Sequence, residues 1–386
     1  MEHITFLVCV VIITALAFDF TNGFHDTANS MATSIATGAL RPKVAVAISG
    51  ALNLAGAFLS VEVAKTISGG IIDESSGVRP QVVFAALIGA ILWNLVTWLR
   101  GIPSSSSHAL YGGLIGATLV AVGTHGVHFD VVVTKILIPA VASPIVAGVA
   151  AWGATRLARR ITAKGTENAN AQGFKYGQIA SASLVSLAHG TNDAQKTMGV
   201  ITLTLVTCGA VAPGSNPPVW VIVSSGLAIA LGTYLGGWRI IRTLGKGIAE
   251  IEAPQGFAAQ TASAAVILTS SHMGYGLSTT QVCGGGIMGA GKAGRTGQVN
   301  WSTARKMAYA WGLTLPAAAL LGGAGTYLAD RGGWGVALLA AIAIGLSAWI
   351  YLASRGQAVT AQNVVDDEPV DITPPAATTT PAPVAA

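Results

Sequence analysis

Two acids stand where acids are least welcome. Asp26 and Asp193 lie inside long apolar stretches, within Gly23-Phe-His-Asp-Thr-Ala-Asn-Ser-Met31 and Gly190-Thr-Asn-Asp-Ala-Gln-Lys-Thr-Met198. An ionised carboxylate inside a membrane costs at least ~2.5 kcal/mol even on the gentlest scale, so an acid found there is a functional-site candidate by default. The plainer role, a carboxylate tied into backbone amides at a helix break, is compatible with the functional one. No Lys or Arg precedes Arg41, so Asp26 has no local ion-pair partner, whereas Lys196 follows Asp193 by three residues and can pair with it on one helix face. Asn22, Asn29, Asn192 and Gln195 surround the acids. They can donate to an anion, present carbonyls to a cation, or simply join helices. His25, beside Asp26, can carry a proton near neutral pH. His108, His189 and His272 lie in or beside the same segments and read singly as structural, while Asp19 reads as a supporting or an interfacial residue.

The second chemical feature is hydroxyl-rich. The run Gly101-Ile-Pro-Ser-Ser-Ser-Ser-His108 reads as a helix start, with Pro just before a row of Ser. A first helical turn has free N–H groups and partial positive charge. Ser104, Ser105, Ser106 and Ser107 therefore offer donors to an anion, and Ser278, Thr279 and Thr280 offer the same. Two such tips facing each other would cage a small oxyanion. An acid beside that anion is tolerable only when protonated or paired with a cation, which is the chemistry of ion-coupled anion uptake. We therefore expect substrate contacts from Asp26, Asn29, Ser104, Ser105, Ser106, Ser107, Asn192, Asp193, Ser278, Thr279 and Thr280, and cation coupling at Asp26, Asp193, His25 and Asn22.

Other chemistries fit less well. No His/Cys/carboxylate set has tetrahedral zinc spacing, so neither a catalytic metal nor a resident cofactor is expected. Ser107 and His108 are adjacent and would point apart on a helix, and no G-x-S-x-G elbow occurs, so a hydrolase is not expected. Gly289-Ala-Gly-Lys-Ala-Gly294 matches a dinucleotide fingerprint but follows an apolar half-helix rather than a strand. Cys9, Cys208 and Cys283 make no disulfide framework.

The elements that must position these residues are helices in a membrane. The 386 residues are 52% hydrophobic and only 10% charged, against about 25% charge in soluble domains, which is too little for a soluble coat. The formal charge of +5 sits in short loops between apolar segments, which speaks against nucleic acid. At roughly 20 apolar residues per crossing, spans are expected over 4–18, 44–64, 82–99, 131–154, 218–236, 304–325 and 333–353. Residues 19–40, 176–208 and 258–291 are apolar but interrupted, and read as broken helices. Glu2 and His3 lead the first segment, so it reads as a retained helix rather than a signal peptide.

The motifs repeat. Gly23 and Gly190 stand 167 residues apart, with Asp and Met recurring in register; Ser106 to Ala117 and Thr279 to Ala290 match at an offset of 173. The expected fold is all-α and polytopic, with two inverted repeats, each holding a broken helix and a re-entrant hairpin. The hairpins are 82–122 and 258–291, the second turning near Gly274–Ser278. The positive-inside rule places the basic loops 156–175, 239–246 and 292–306 in the cytoplasm, so the two hairpins enter from opposite sides. The expected division is 1–155, first repeat; 156–175, basic linker; 176–355, second repeat; and 356–386, a disordered tail, acidic and then rich in Pro, Thr and Ala. Gly112/Gly116 and Gly285/Gly289 read as helix-packing pairs.

These residues resemble the inorganic phosphate transporter (PiT) family. Its repeated G-x-N-D-x-x-N-type signature is matched by Gly23-Phe-His-Asp-Thr-Ala-Asn29 and Gly190-Thr-Asn-Asp-Ala-Gln-Lys196, and its Ser/Thr half-helix motif by Pro103-Ser-Ser-Ser-Ser-His108 and Leu277-Ser-Thr-Thr-Gln281. The likeness runs from about residue 15 to 325, and Asn22-Gly-Phe-His-Asp-Thr-Ala-Asn29 is similar to bacterial low-affinity permeases. It implies phosphate import across the plasma membrane, the inner membrane in a bacterium, coupled to H⁺ or Na⁺. His25 for Asn, Lys196 for Asn and Gln281 for His depart from the sodium-type pattern and turn the expectation toward H⁺. The resemblance leaves open a divalent metal carried with phosphate, sulfate as the substrate, and a homodimeric assembly.

Overall fold

The computed structural model describes residues 5–365 except 74, 164–166 and 296. Among the described residues the chain is helical, with one isolated bridge between Ile72 and Val127. The long helices are α1 (Phe6–Ala36), α2 (Pro42–Gly56), α3 (Pro80–Leu99), α4 (Ser106–Ala121), α5 (Ile138–Thr162), α6 (Glu167–Thr207), α7 (Val219–Leu235), α8 (Ala253–His272), α9 (Thr279–Ala293), α10 (Trp301–Ala329) and α11 (Gly333–Ser354). Five stretches, 6–36, 80–99, 129–162, 301–329 and 333–354, are long and apolar enough to cross a membrane, and six if the bent pair 219–235 and 238–247 counts as one span. The protein is a multi-pass membrane protein. Its burial is inverted relative to a soluble domain: Ile145, Val149, Leu320 and Ile344 are exposed, while Asp19, Asp26, Asp193 and Lys196 are buried. A lipid solvent demands this arrangement, because polar groups have partners only inside the bundle.

The acid-bearing segments are not broken. Asp26 lies in the middle of one continuous helix of 31 residues, and Asp193 within another of 41. Spans 4–18 and 19–40 are thus one helix, about 46 Å long at 1.5 Å per residue. The glycines that suggest a break serve close approach instead. A methyl group on Gly23 would fall inside the Ile229 carbonyl oxygen, and one on Gly190 inside that of Asn53. Reciprocally, Gly232 lies against the Phe20 carbonyl and Gly56 against that of Leu187. Two crossings, α1 with α7 and α6 with α2, are therefore built the same way.

The chain does break, but one helix later in each half. α2 stops at Gly56, and helix resumes in short pieces at Glu62–Lys65 and Thr66–Ile71. α7 stops at Leu235, and Trp238–Arg242 and Thr243–Gly247 follow after a 64° bend. Residues 239–246 are accordingly helical rather than a loop. The basic stretch 156–175 is not a linker either, since α5 runs to Thr162 and α6 starts at Glu167.

The two hairpins stand as the sequence suggests. α3 and α4 are joined by a turn from Arg100 to Ser105, and α8 and α9 by one from Met273 to Ser278. Each hairpin packs against a helix of the other half: α10 lies on α3 and α4, and α5 lies on α8 and α9. The packing-pair glycines make this possible. Gly112 and Gly116 lie against the Leu315 and Ala319 carbonyls, and Gly285 and Gly289 against those of Pro144 and Gly148. The halves interlock rather than forming separate bodies. The first part of the expected tail is also anchored: Arg242 donates to the Asn363 carbonyl, Lys246 to that of Val365, and Val364 is buried. The remainder of the tail, 366–386, lies outside the described residues.

Candidate functional site

The two hairpin turns meet in the middle of the bundle. Ser107 Oγ donates to the Leu277 carbonyl at 3.1 Å, and Tyr111 OH to that of Gly276 at 2.9 Å. Each turn ends in a capped helix start. Ser105 Oγ accepts the His108 N–H, and Ser278 Oγ accepts the Gln281 N–H. The first intrahelical bonds are from Ala109 N to Ser105 O and from Val282 N to Ser278 O. That leaves the N–H groups of Ser106, Ser107, Thr279 and Thr280 without an intrahelical acceptor, turned toward the junction. Ser104 precedes the helix; its hydroxyl lies 2.8 Å from Thr97 Oγ1 and 3.3 Å from His25 Nε2.

Both acids reach this junction from the long helices. Asp26 Oδ1 accepts from Ser106 Oγ at 3.1 Å and Thr280 Oγ1 at 3.4 Å, and lies 2.5 Å from His25 Nδ1. Asp193 Oδ2 accepts from Thr279 Oγ1 at 3.0 Å, and the same hydroxyl lies 3.3 Å from Asp26 Oδ2. Thr279 therefore touches both acids. The sequence suggests one tip per acid; in the fold Asp26 takes both tips, because α1 passes under the junction itself. Asn29 Nδ2 donates to Thr279 Oγ1 at 3.2 Å and Thr280 Oγ1 at 3.0 Å, and so reaches the tip rather than the carboxylate. Asn192 Nδ2 donates to the Leu277 carbonyl at 2.9 Å.

Asp193 is held differently from Asp26. Lys196 Nζ donates to Asp193 Oδ1, to Ser107 Oγ at 2.6 Å and to the Leu277 carbonyl at 3.1 Å. His189 Nε2 lies 3.1 Å from Asp193 Oδ2. His189 Nδ1 in turn lies 3.1 Å from Asn53 Oδ1, and Asn53 Nδ2 donates to Thr233 Oγ1 at 2.7 Å. One ligating atom each from Asp26, His189 and Asp193 lie within 4.8 Å of one another, a spacing that could share a cation.

The sequence misses His189, Lys196 and Thr97 as members of the site. His189 had a usable signal, since it precedes Asp193 by four residues and so shares its helix face. Thr97 had none, because its approach to His25, 3.3 Å from Nε2, bridges 72 residues. Asn22 is expected at the site but is not brought there: both ends of its amide are buried without a partner, one turn before Asp26.

Comparison with known proteins gives one family. The model of the phosphate transporter family matches residues 22–322. A "Probable low-affinity inorganic phosphate transporter" of Mycobacterium bovis is 56% identical over 370 residues, covering 94% of this chain and 87% of that protein. One of the same description from Bacillus subtilis is 41% identical over 323 residues, covering 83% and 97%. A solved structure described as "The sodium-dependent phosphate transporter" superposes with a TM-score of 0.76 at 24% identity, covering 85% of this chain and all of that one; this likeness shows the fold.

Proposed function

The chain belongs to the phosphate transporter family, and on that premise we propose that it is a secondary symporter that imports inorganic phosphate across the plasma membrane, coupled to H⁺. It is a transport protein, as its relatives are named. The observation that carries the reading is Thr279, whose hydroxyl lies against both acids where the two helix starts meet. Phosphate would take the free N–H groups and hydroxyls of Ser106, Ser107, Thr279 and Thr280, with Lys196 and Asn29 as further donors.

Coupling follows from charge. An anion placed about 4 Å from an ionised acid is opposed by about 4 kcal/mol at an effective dielectric of 20. That is nearly a thousandfold in occupancy. Phosphate can therefore enter only when a cation has neutralised the acid. At Asp193 that cation is tethered: the Lys196 ammonium is already there. At Asp26 it is mobile, and the neighbour is an imidazole 2.5 Å away, which favours a proton. The interlocked halves and the matched glycine crossings support inverted repeats, with alternating access around the junction. The trio Asp26, His189 and Asp193 supports a second reading, in which a divalent cation travels with phosphate.

The test is phosphate uptake into proteoliposomes under imposed gradients. An inward H⁺ gradient should drive accumulation, and a protonophore should abolish it. Uptake driven only by Na⁺ would replace the coupling ion. Uptake only down the phosphate gradient would make the protein a channel. Dependence on Mg²⁺ in the same assay would select the second reading.

A further inference from the structure

Asp19 lies seven residues before Asp26 on α1, about 10 Å along the helix, and the transport reading does not use it. It is fully buried, and neither carboxylate oxygen has a hydrogen-bond partner. Thr197 and Asn22 flank it. The Thr197 hydroxyl and both ends of the Asn22 amide are likewise buried and unpartnered. The nearest cation, Lys196, does not serve it. All three of its N–H bonds are spent on Asp193, Ser107 and the Leu277 carbonyl.

The internal repeat shows what is unusual here. At the 167-residue offset Asp19 corresponds to Ser186 and Thr197 to Ser30. The crossings of Gly23 with Ile229 and of Gly190 with Asn53 set α2 against α7 at an offset of 176, so Ser225 corresponds to Ser49. In one copy the three hydroxyls are closed. Ser49 Oγ lies 3.0 Å from Ser30 Oγ and accepts from Ser186 Oγ at 3.0 Å. In the other copy a carboxylate replaces one hydroxyl, and Asp19, Thr197 and Ser225 are all buried and open. A closed chain of neutral groups has become an open set of oxygens with one negative charge.

We propose that Asp19, Asn22, Thr197 and Ser225 form a binding site for a monovalent metal cation of the Na⁺ class, separate from the Asp26–Asp193 junction. A single proton on Asp19 would satisfy one carboxylate oxygen and at most one acceptor, leaving the other groups orphaned. A hard cation gathers several oxygens at once. One carboxylate balances one positive charge, so a monovalent ion leaves the buried site neutral, where a divalent ion would leave it charged. The site goes beyond the transport reading and stands whichever ion drives uptake.

The experiment is equilibrium binding of ²²Na⁺ to the purified full-length protein in detergent, without phosphate and with choline as the balancing salt. Wild type should bind saturably. Asp19→Asn should abolish binding, and Thr197→Val and Ser225→Ala should each weaken it about 10-fold or more, the usual scale for removing a supporting group. Asp26→Asn should leave it in place. All variants are compared by gel filtration, and the two hydroxyl variants keep the test valid if Asp19→Asn misfolds. Three results would overturn the proposal: no binding by wild type, binding that survives Asp19→Asn, or binding lost with Asp26→Asn, which would assign the ion to the junction. Absent ²²Na⁺ binding together with an Asp19→Asn shift in the pH profile of uptake would replace the metal by a proton. H⁺-driven uptake measured in choline tests the transport reading separately.

Discussion

Replacing Lys196 with Met should expose how the Asp193 half of the site is held. Met keeps most of the side-chain volume and removes the charge. The ammonium supplies one hydrogen bond each to Asp193 Oδ1, Ser107 Oγ and the Leu277 carbonyl. Removing one partner of a buried ion pair costs about 3–5 kcal/mol, mostly because the other charge is left uncompensated. Asp193 would retain His189 at 3.1 Å, Thr279 at 3.0 Å and Asn192 at 3.4 Å. The Leu277 carbonyl would retain Ser107 and Asn192. The loss should therefore lie at the low end, about 3 kcal/mol. Adding Asp193→Asn removes the stranded charge, so the double variant should recover most of that loss. Denaturant unfolding of the detergent-solubilised protein at the four corners of the cycle measures both values. A single-variant cost below about 1 kcal/mol, or strict additivity in the double variant, would refute the tethered-cation argument.

Asp26→Asn and Asp193→Asn should each remove gradient-driven phosphate uptake while the protein still inserts; normal transport by both would make the acids structural. Thr279→Val removes a hydroxyl shared by two carboxylates, at about 1.5–3 kcal/mol per bond to a charged group, so uptake efficiency should fall by at least about tenfold. Thr279→Ser should restore most of it, and failure to do so would point to packing instead. Gly23→Ala places a methyl group inside the Ile229 carbonyl and should prevent a monodisperse protein, whereas Gly153→Ala, which meets nothing within 4 Å, should leave gel filtration unchanged.

The sequence by itself determined the solvent and the repeat. A chain with 10% charge cannot coat a soluble core, so the membrane follows from composition. The recurrence of Gly, Asp and Met, and of the hydroxyl tips, located both acids, both helix starts and the packing glycines. Only the tertiary structure decided how they are used. Gly and Asn inside apolar segments give the same local signal for a broken helix as for a tight crossing, and the distinction lies in what stands opposite. Opposite Gly23 stands Ile229, 206 residues away, so α1 stays whole and the break falls one helix later. Partners are equally remote: Thr279 reaches Asp26 across 253 residues and Lys196 reaches Ser107 across 89. Periodicity and spacing describe one helix at a time. A buried charge is satisfied or stranded by its neighbours on other helices, and this separates Asp26 and Asp193, held from every side, from Asp19, which is held by none.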